Sequence, residues 1–319
     1  ESKKVAETVA LKTGDKFTGP IIGHVNYGYS NYKVTVNYED IKEGFVAGNV
    51  AAETTSSITF DANKLTIGTY NIENFSANKE ETSDEKAALI ANSIVKGQGS
   101  PDIIGLTEVQ DNDGETASGT SAADKSFERI INAIVAAGGP KYEYINIDPV
   151  YNKDGGAPGA NIRPGFLYNP ERVTFNAQGV ISKTASAVYE NGKLAVNPSL
   201  IDPTNVAFDS SRKPLVAQFT FKGQEVLVIA NHWNSKSGDL PVWGKTQPVT
   251  YASEAQRVQI AKVVGEFIAN VKKQNPNANI VAVGDFNDFQ WTPAMKALES
   301  YGMYNMIHSV PLNERYTYT

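Results

Sequence analysis

The chain has 319 residues, 41% of them hydrophobic and 20% charged, which suits one large globular domain or two smaller ones with a sizeable core. A net charge of −6 excludes a basic nucleic-acid coat, and the absence of cysteine excludes disulfides, zinc–thiolate sites and thiol nucleophiles. No apolar run is long enough to span a membrane, and Glu1-Ser2-Lys3-Lys4 does not open a signal peptide, so an exported form is expected to have lost its signal before this numbering begins.

Residues 1–60 read as a small β-rich segment, either the end of a β module or a lead-in hairpin. Lys16-Phe17-Thr18, the stretch 23–29 and Tyr32–Val36 look like short strands broken by glycine. Their tyrosines are expected to pack, with base stacking as the alternative, and His24 is read as structural.

From residue 65 the texture changes to alternating strands and helices, giving a domain over 61–319. Leu65–Tyr70 is a predicted strand that ends at Asn71-Ile72-Glu73-Asn74. A helix is predicted over about 83–96, with Thr82 and Glu85 spaced as a capping box and Ala87, Ile90, Ala91 and Ile94 on one face. Asp102–Leu106 is a buried strand ending at Thr107-Glu108-Val109-Gln110. A polar loop then leads to a second helix over about 124–137, stopped by Gly138-Gly139. Tyr142–Ile147 alternates as a strand. A long glycine-rich loop, 154–164, carries Asn161-Ile162-Arg163 into a strand at Gly165–Tyr168. Val226–Ala230 is a fully apolar strand ending at Asn231-His232-Trp233-Asn234-Ser235-Lys236. A long helix runs from Ser253 to about 273, followed by the strand Val281-Ala282-Val283 and then Gly284-Asp285-Phe286-Asn287-Asp288. Thr292-Pro293 starts a last short helix, with proline at its favoured first position.

Four buried strands therefore end in polar residues: Asn71, Glu108, the Asn231-His232-Asn234 group, and Asp285 with Asn287. If the strands share a rim, these groups converge. Two carboxylates, several carboxamides and an imidazole without thiols suit a hard divalent cation such as Mg²⁺ or Mn²⁺.

These four motifs, in this order over residues 65–319, resemble the endonuclease/exonuclease/phosphatase family, which includes pancreatic deoxyribonuclease, abasic-site endonucleases and sphingomyelinases. The Asn-Ile-Glu-Asn form, the Asn-Ile-Arg loop before Phe-Leu-Tyr, and Asn-His-x-x-Ser-Lys look most like its secreted bacterial extracellular-nuclease branch. The resemblance implies an αββα sandwich, two packed mixed β-sheets with outer helices, preceded here by the β-rich segment. It implies a Mg²⁺-dependent nuclease (with Mn²⁺ or Ca²⁺ as alternatives) that hydrolyses phosphodiesters by in-line attack of water and is secreted or cell-envelope associated. In that reading Glu108 and Asn71 belong to the metal shell. Asp285 orients or deprotonates water, Asn71 and Asn287 donate hydrogen bonds, and His232 stabilises the pentacovalent phosphorus or assists proton transfer. Arg163, Asn234 and Lys236 bind substrate phosphate, while Lys245, Arg212, Lys213 and Arg257 are candidate backbone contacts. Nucleic acid is the implied partner; no obligate protein partner is implied.

One part of the family's pattern is not matched. Its last motif is a late Asp-His pair on a strand, and this sequence closes at Glu314-Arg315-Tyr316-Thr317-Tyr318-Thr319. His308 is not preceded by Asp and is read as surface or structural. The expectation is that a carboxy-terminal piece lies beyond this numbering, and that these 319 residues bind metal but hydrolyse poorly. Two other readings stand beside the nuclease. One is a phosphodiesterase acting on a phospholipid such as sphingomyelin, or on a small phosphoester; the other is a non-catalytic binding module.

Overall fold

The computed structural model describes residues 11–12, 14–48, 55–312 and 315. Glu1–Lys4, read above for a signal peptide, and the tyrosine-rich tail from Tyr316 lie outside the described residues. The chain divides into two compact units, one of residues 1–54 with 238–252, the other of residues 55–237 with 253–319.

In the smaller unit the predicted strands form at Lys16–Phe17, His24–Gly28 and Asn31–Thr35. The last two pair as an antiparallel hairpin in which Val25 faces Val34 and Tyr27 faces Tyr32. The segment 238–252 joins this hairpin through Tyr32 N–H, which donates to the Trp243 carbonyl at 2.8 Å. The tyrosines differ from expectation. Tyr27, Tyr29 and Tyr32 are exposed, and among the described residues no layer covers the ribbon face that Tyr27 and Tyr32 share with Val25 and Val34.

The larger unit is a four-layer sandwich. Its first sheet contains β1 (Ile67–Phe75), β2 (Ile103–Val109), β3 (Glu143–Ile145) and β4 (Arg163–Tyr168), in the order β1-β2-β4-β3. Its second contains β5 (Thr174–Phe175), β6 (Ser199–Leu200), β7 (Leu215–Phe221), β8 (Gln224–His232) and β9 (Asn279–Asp285), in the order β6-β7-β8-β9 with β5 beside β7. β1–β2 and β8–β9 are the parallel pairs, so both sheets are mixed. The helices are α1 (Asp84–Asn92), α2 (Asp124–Ala136), α3 (Ala252–Gln274) and α4 (Pro293–Ser300).

Three apolar layers follow from strand alternation. Val226, Val228 and Ala230 of β8 point between the sheets, with Ile103, Phe166, Leu215 and Phe219. Leu227 and Ile229 point the other way, onto Ile260, Val264 and Ile268 of α3. Ile104 and Leu106 of β2 meet Ile90 of α1, Ile94 just beyond its end, and Ile130 and Ile134 of α2. A strand buried on both faces reads as an unbroken apolar run, which is why these strands showed no polar alternation. Each such side chain contributes roughly 1.5–3 kcal/mol by burial.

Helix ends differ in detail from the sequence reading. Ser83 caps α1 instead of Thr82: its hydroxyl accepts from Lys86 N–H at 3.1 Å, while Thr82 is buried and accepts from Ser76 N–H. After Asn92 the helix widens into a π turn, Ser93–Gly97. α2 has no cap of its own, and Asn112 supplies one from the preceding loop by accepting from Lys125 and Ser126 N–H.

Candidate active site

The two sheets deliver polar groups to one rim by different means. Pairing between β2 and β4 is regular from Ile103↔Tyr168 to Leu106↔Gly165, then shifts before Val109↔Arg163. Glu108 sits inside that shift at φ 62°. Such a bulge turns one side chain out of the strand's alternation. β1 shifts against β2 between Asn71 and Phe75, with Glu73 at φ 52° and Asn74 at φ 51°. The result is local: Asn74 N–H donates to Glu108 Oε2 at 3.0 Å, and Asn71 Nδ2 to Oε1 at 2.9 Å.

In the second sheet the parallel ladder of β8 and β9 runs unbroken to Asn231↔Gly284 and His232↔Asp285. Gly284 has φ 130°, and a Cβ there would lie 1.9 Å from the Asn231 carbonyl oxygen. Only glycine permits this approach, which explains the Gly-Asp order of the motif. The predicted strands run through the polar residues, so Asn71, Glu108, His232 and Asp285 lie on β1, β2, β8 and β9 themselves.

These four side chains meet. Ligand atoms of Glu108, His232 and Asp285 all lie within 4.8 Å of one another. Asn71 Nδ2 bridges the carboxylates, with a second bond of 3.0 Å to Asp285 Oδ2. Asn71 Oδ1 accepts from Glu73 N–H at 2.9 Å, so the amide presents its N–H₂ to the cluster. Asp285 Oδ1 accepts from Asn287 N–H at 2.8 Å. His232 Nε2 is 3.8 Å from Glu108 Oε1. Burial, with the Arg212 guanidinium as a second cause, holds the His232 imidazole well below its ordinary pKa, so it is neutral near pH 7. Its Nδ1 is buried with no hydrogen-bond partner among the described residues. Two carboxylates and a neutral imidazole with an unpartnered nitrogen form a donor set that fits a hard or borderline divalent cation.

The remaining predicted residues divide. Asn287 Nδ2 donates to the Trp233 carbonyl at 3.0 Å, and Lys236 Nζ donates to the Asn287 carbonyl at 2.6 Å. Arg257 of α3 ties both loops together: Nε bonds Asp288 Oδ2 at 2.9 Å, and Nη1 bonds the Asn234 and Ser235 carbonyls at 3.3 Å each. Asn234 Nδ2 is turned to the Ser253 carbonyl.

Arg163 is engaged elsewhere. It is 1% exposed; Nη1 donates to Ser121 O and Asp148 Oδ1, while Nε and Nη2 donate to Asn161 O. Burial lowers its pKa to about 10. Arg163 fastens loops and has no bond to the cluster.

Arg212 is the cation nearest that role. It is 7% exposed, Nη2 donates to the Trp233 carbonyl at 2.6 Å, and Nε has no partner among the described residues. Burial lowers its pKa, and the charges of Glu108, Asp285 and Asp154 oppose that shift. No motif marks Arg212; the available signal was its place just ahead of a strand antiparallel to the one bearing His232.

Residues 187–306 match the sequence profile of the Endonuclease/Exonuclease/phosphatase family, a stretch that carries His232, Asp285 and Asn287. The resemblance read from the strand-end motifs stands. No curated protein matches the chain. Among solved structures, humanized D. rerio TDP2 with 14 mutations is 15% identical, with 73% of this chain and 66% of that one covered and a TM-score of 0.39. A β-hairpin deletion mutant of beta toxin from Staphylococcus aureus is 12% identical, covering 75% and 72%, with a TM-score of 0.42. An endonuclease/exonuclease/phosphatase family protein from Leptotrichia buccalis C-1013-b is 13% identical, covering 77% and 75%, with a TM-score of 0.44. The chain thus spans just under two thirds of the first of these structures.

Proposed function

We propose that the protein is a divalent-metal-dependent phosphodiester hydrolase acting on DNA or RNA, with Mg²⁺ as the preferred ion, and that it works outside the cytoplasm. The observation that carries the reading is the meeting of Glu108, His232 and Asp285 from both sheets within 4.8 Å, with Asn71 bridging the carboxylates. The family profile over residues 187–306 supports phosphodiester chemistry. Export rests on the resemblance to secreted nucleases alone.

Glu108 would hold the ion, with Asp285 beside it. When bound, the ion supplies Lewis-acid polarisation of a phosphate oxygen and stabilises the leaving oxyanion. Asn71 fixes the separation of the carboxylates by donating one N–H to each. Asp285 already accepts one bond on each oxygen. The lone pairs left over can accept from a water and aim it for in-line attack. Neutral His232 would donate an N–H to the phosphoryl oxygens as charge develops on them. Arg212, with Nε unengaged, would bind the phosphate from the second sheet.

The test is nicking of supercoiled plasmid by the purified protein with Mg²⁺. EDTA abolishes cleavage, and Glu108→Ala lowers the rate on the order of 10³-fold. Cleavage that persists unchanged in Glu108→Ala would show that the site is wrong.

One observation favours a phospholipid substrate instead: the exposed hairpin face of Val25, Tyr27, Tyr32 and Val34 is the kind of surface that meets a lipid interface. Phosphocholine release from sphingomyelin vesicles, without plasmid cleavage, would move the assignment there.

A further inference from the structure

We infer that the cavity bordered by Lys153 and Lys183 is a nucleotide subsite, holding the residue next to the scissile phosphate of a nucleic-acid substrate. This rests on the nuclease reading above and specifies which face of the rim the polymer crosses.

The cavity has a volume of about 470 Å³, within the range for small-molecule sites. Strand register places part of its lining at the strand ends that carry the metal-ligand cluster. Pro164 lines it, and Pro164 follows Arg163, the partner of Val109 one residue beyond Glu108. Ser210 and Lys213 also line it, just ahead of Leu215, which pairs with Ala230 two residues before His232. Arg212 interacts electrostatically with both, with Glu108 and Asp285 of the cluster and with Asp154 of the cavity lining. Gly155, at φ 73°, packs so closely there that a Cβ would lie 2.3 Å from Ser210 O and 3.4 Å from Arg212 Nη1. No side chain at 155 therefore stands beside that guanidinium.

The lining has the chemistry of a nucleotide's two halves. Pro149, Pro164, Leu200 and Pro203 give apolar wall for a sugar and a flat base. Lys213 is structural: its Nζ donates to Asp154 at 2.9 Å and to the Phe208 and Ser211 carbonyls at 3.0 and 2.8 Å, which uses all of its N–H groups. The other lysines are different. Lys183 is exposed and donates to Pro149 O at 3.1 Å and Ser121 Oγ at 3.4 Å, keeping one N–H in hand and no carboxylate partner among the described residues. Lys153 is exposed, and its Nζ makes no hydrogen bond or ion pair among the described residues. Lys153, Lys183 and Lys213 against Asp154 and Asp209 leave the lining net positive beside an apolar wall in a chain of net charge −6, a place where an anion with a flat apolar part is favoured. Asp209, exposed at the mouth, can accept from a base N–H.

Isothermal titration of the whole chain with thymidine 3′,5′-bisphosphate in Mg²⁺ tests this, because the probe has no diester to cleave. The wild type binds it. Lys153→Ala with Lys183→Ala weakens binding at least about tenfold, from the loss of charge-assisted bonds. Lys183→Arg restored beside Lys153 recovers most of the affinity, and Lys96→Ala, on the exposed turn after α1, does not change it. Affinity unaltered in the double alanine variant, or phosphocholine binding more tightly than the bisphosphate, would overturn the inference. Plasmid cleavage is followed separately. Lysine-dependent nucleotide binding without cleavage supports the subsite while defeating the nuclease reading, and cleavage with lysine-independent binding does the reverse.

Discussion

The two halves of the rim solve the same positioning problem differently. The first sheet reaches its site residues through irregular backbone: register shifts in β1 and β2, left-handed Glu73, Asn74 and Glu108, and a buried arginine whose three guanidinium nitrogens all donate to loop groups. The second sheet keeps its ladder intact to the last pair, needs one glycine to do so, and leaves its arginine with an unbonded Nε. Irregular backbone must be held by cross-bonds, so its polar groups are consumed as structure. A regular ladder holds itself, and its neighbouring cation stays available for substrate.

The sharpest way to break this comparison is at the glycine. Gly284→Ala puts a Cβ 1.9 Å from backbone oxygen that cannot swing aside, so it should destabilise the fold by more than about 3 kcal/mol, read by urea denaturation. A milder loss would mean that the ladder end is pliable, contrary to the contrast drawn.

The arginines come next and should fail in opposite ways. Arg163→Ala removes a buried cation from Asp148 and two loop carbonyls and should cost about 3 kcal/mol of stability. Arg212→Ala should lower plasmid cleavage on the order of 10²-fold, with a smaller stability loss than Arg163→Ala. The reverse pattern, Arg163→Ala cleaving poorly while melting normally, would return the phosphate role to Arg163.

The smallest effect is a pH dependence confined to the first sheet's side. Burial raises the Asp111 pKa to about 7, against a bond from Asn161 that lowers it and Asp113 nearby that raises it further. A folded pKa above the unfolded value of roughly 3.9 means that the protonated form is favoured by folding. That contribution is fully present below about pH 4 and is lost as pH rises through about 7, on the order of 2 kcal/mol. Urea midpoints at pH 5 and pH 7.5 should therefore converge in Asp111→Asn relative to the wild type. Equal pH slopes in the two proteins would remove Asp111 from the account.

Much of this arrangement was legible before the fold. Strands buried on both faces print themselves as apolar runs, and polar residues at their ends stand out against that background; Asn71, Glu108, His232 and Asp285 were found in this way. The two arginines were not separable. Arg163 sits on a glycine-rich loop beside a family-like motif, but its partners are carbonyls of Ser121 and Asn161, and backbone acceptors leave no trace in side-chain identity. The exposed tyrosines of the hairpin were hidden for a related reason. Alternation shows that a strand has two faces, not whether a layer lies on either.

The pairing of His232 with Asp285 in the β8–β9 register has one more consequence. The two groups face each other on one rung of a hydrogen-bonded ladder, so their spacing is a caliper set by the sheet and not by any loop. Loops around the rim can change in length or sequence and alter what the site accepts without moving these jaws. Heat has no such freedom: the jaws cannot drift apart gradually, and they open when the sheet does.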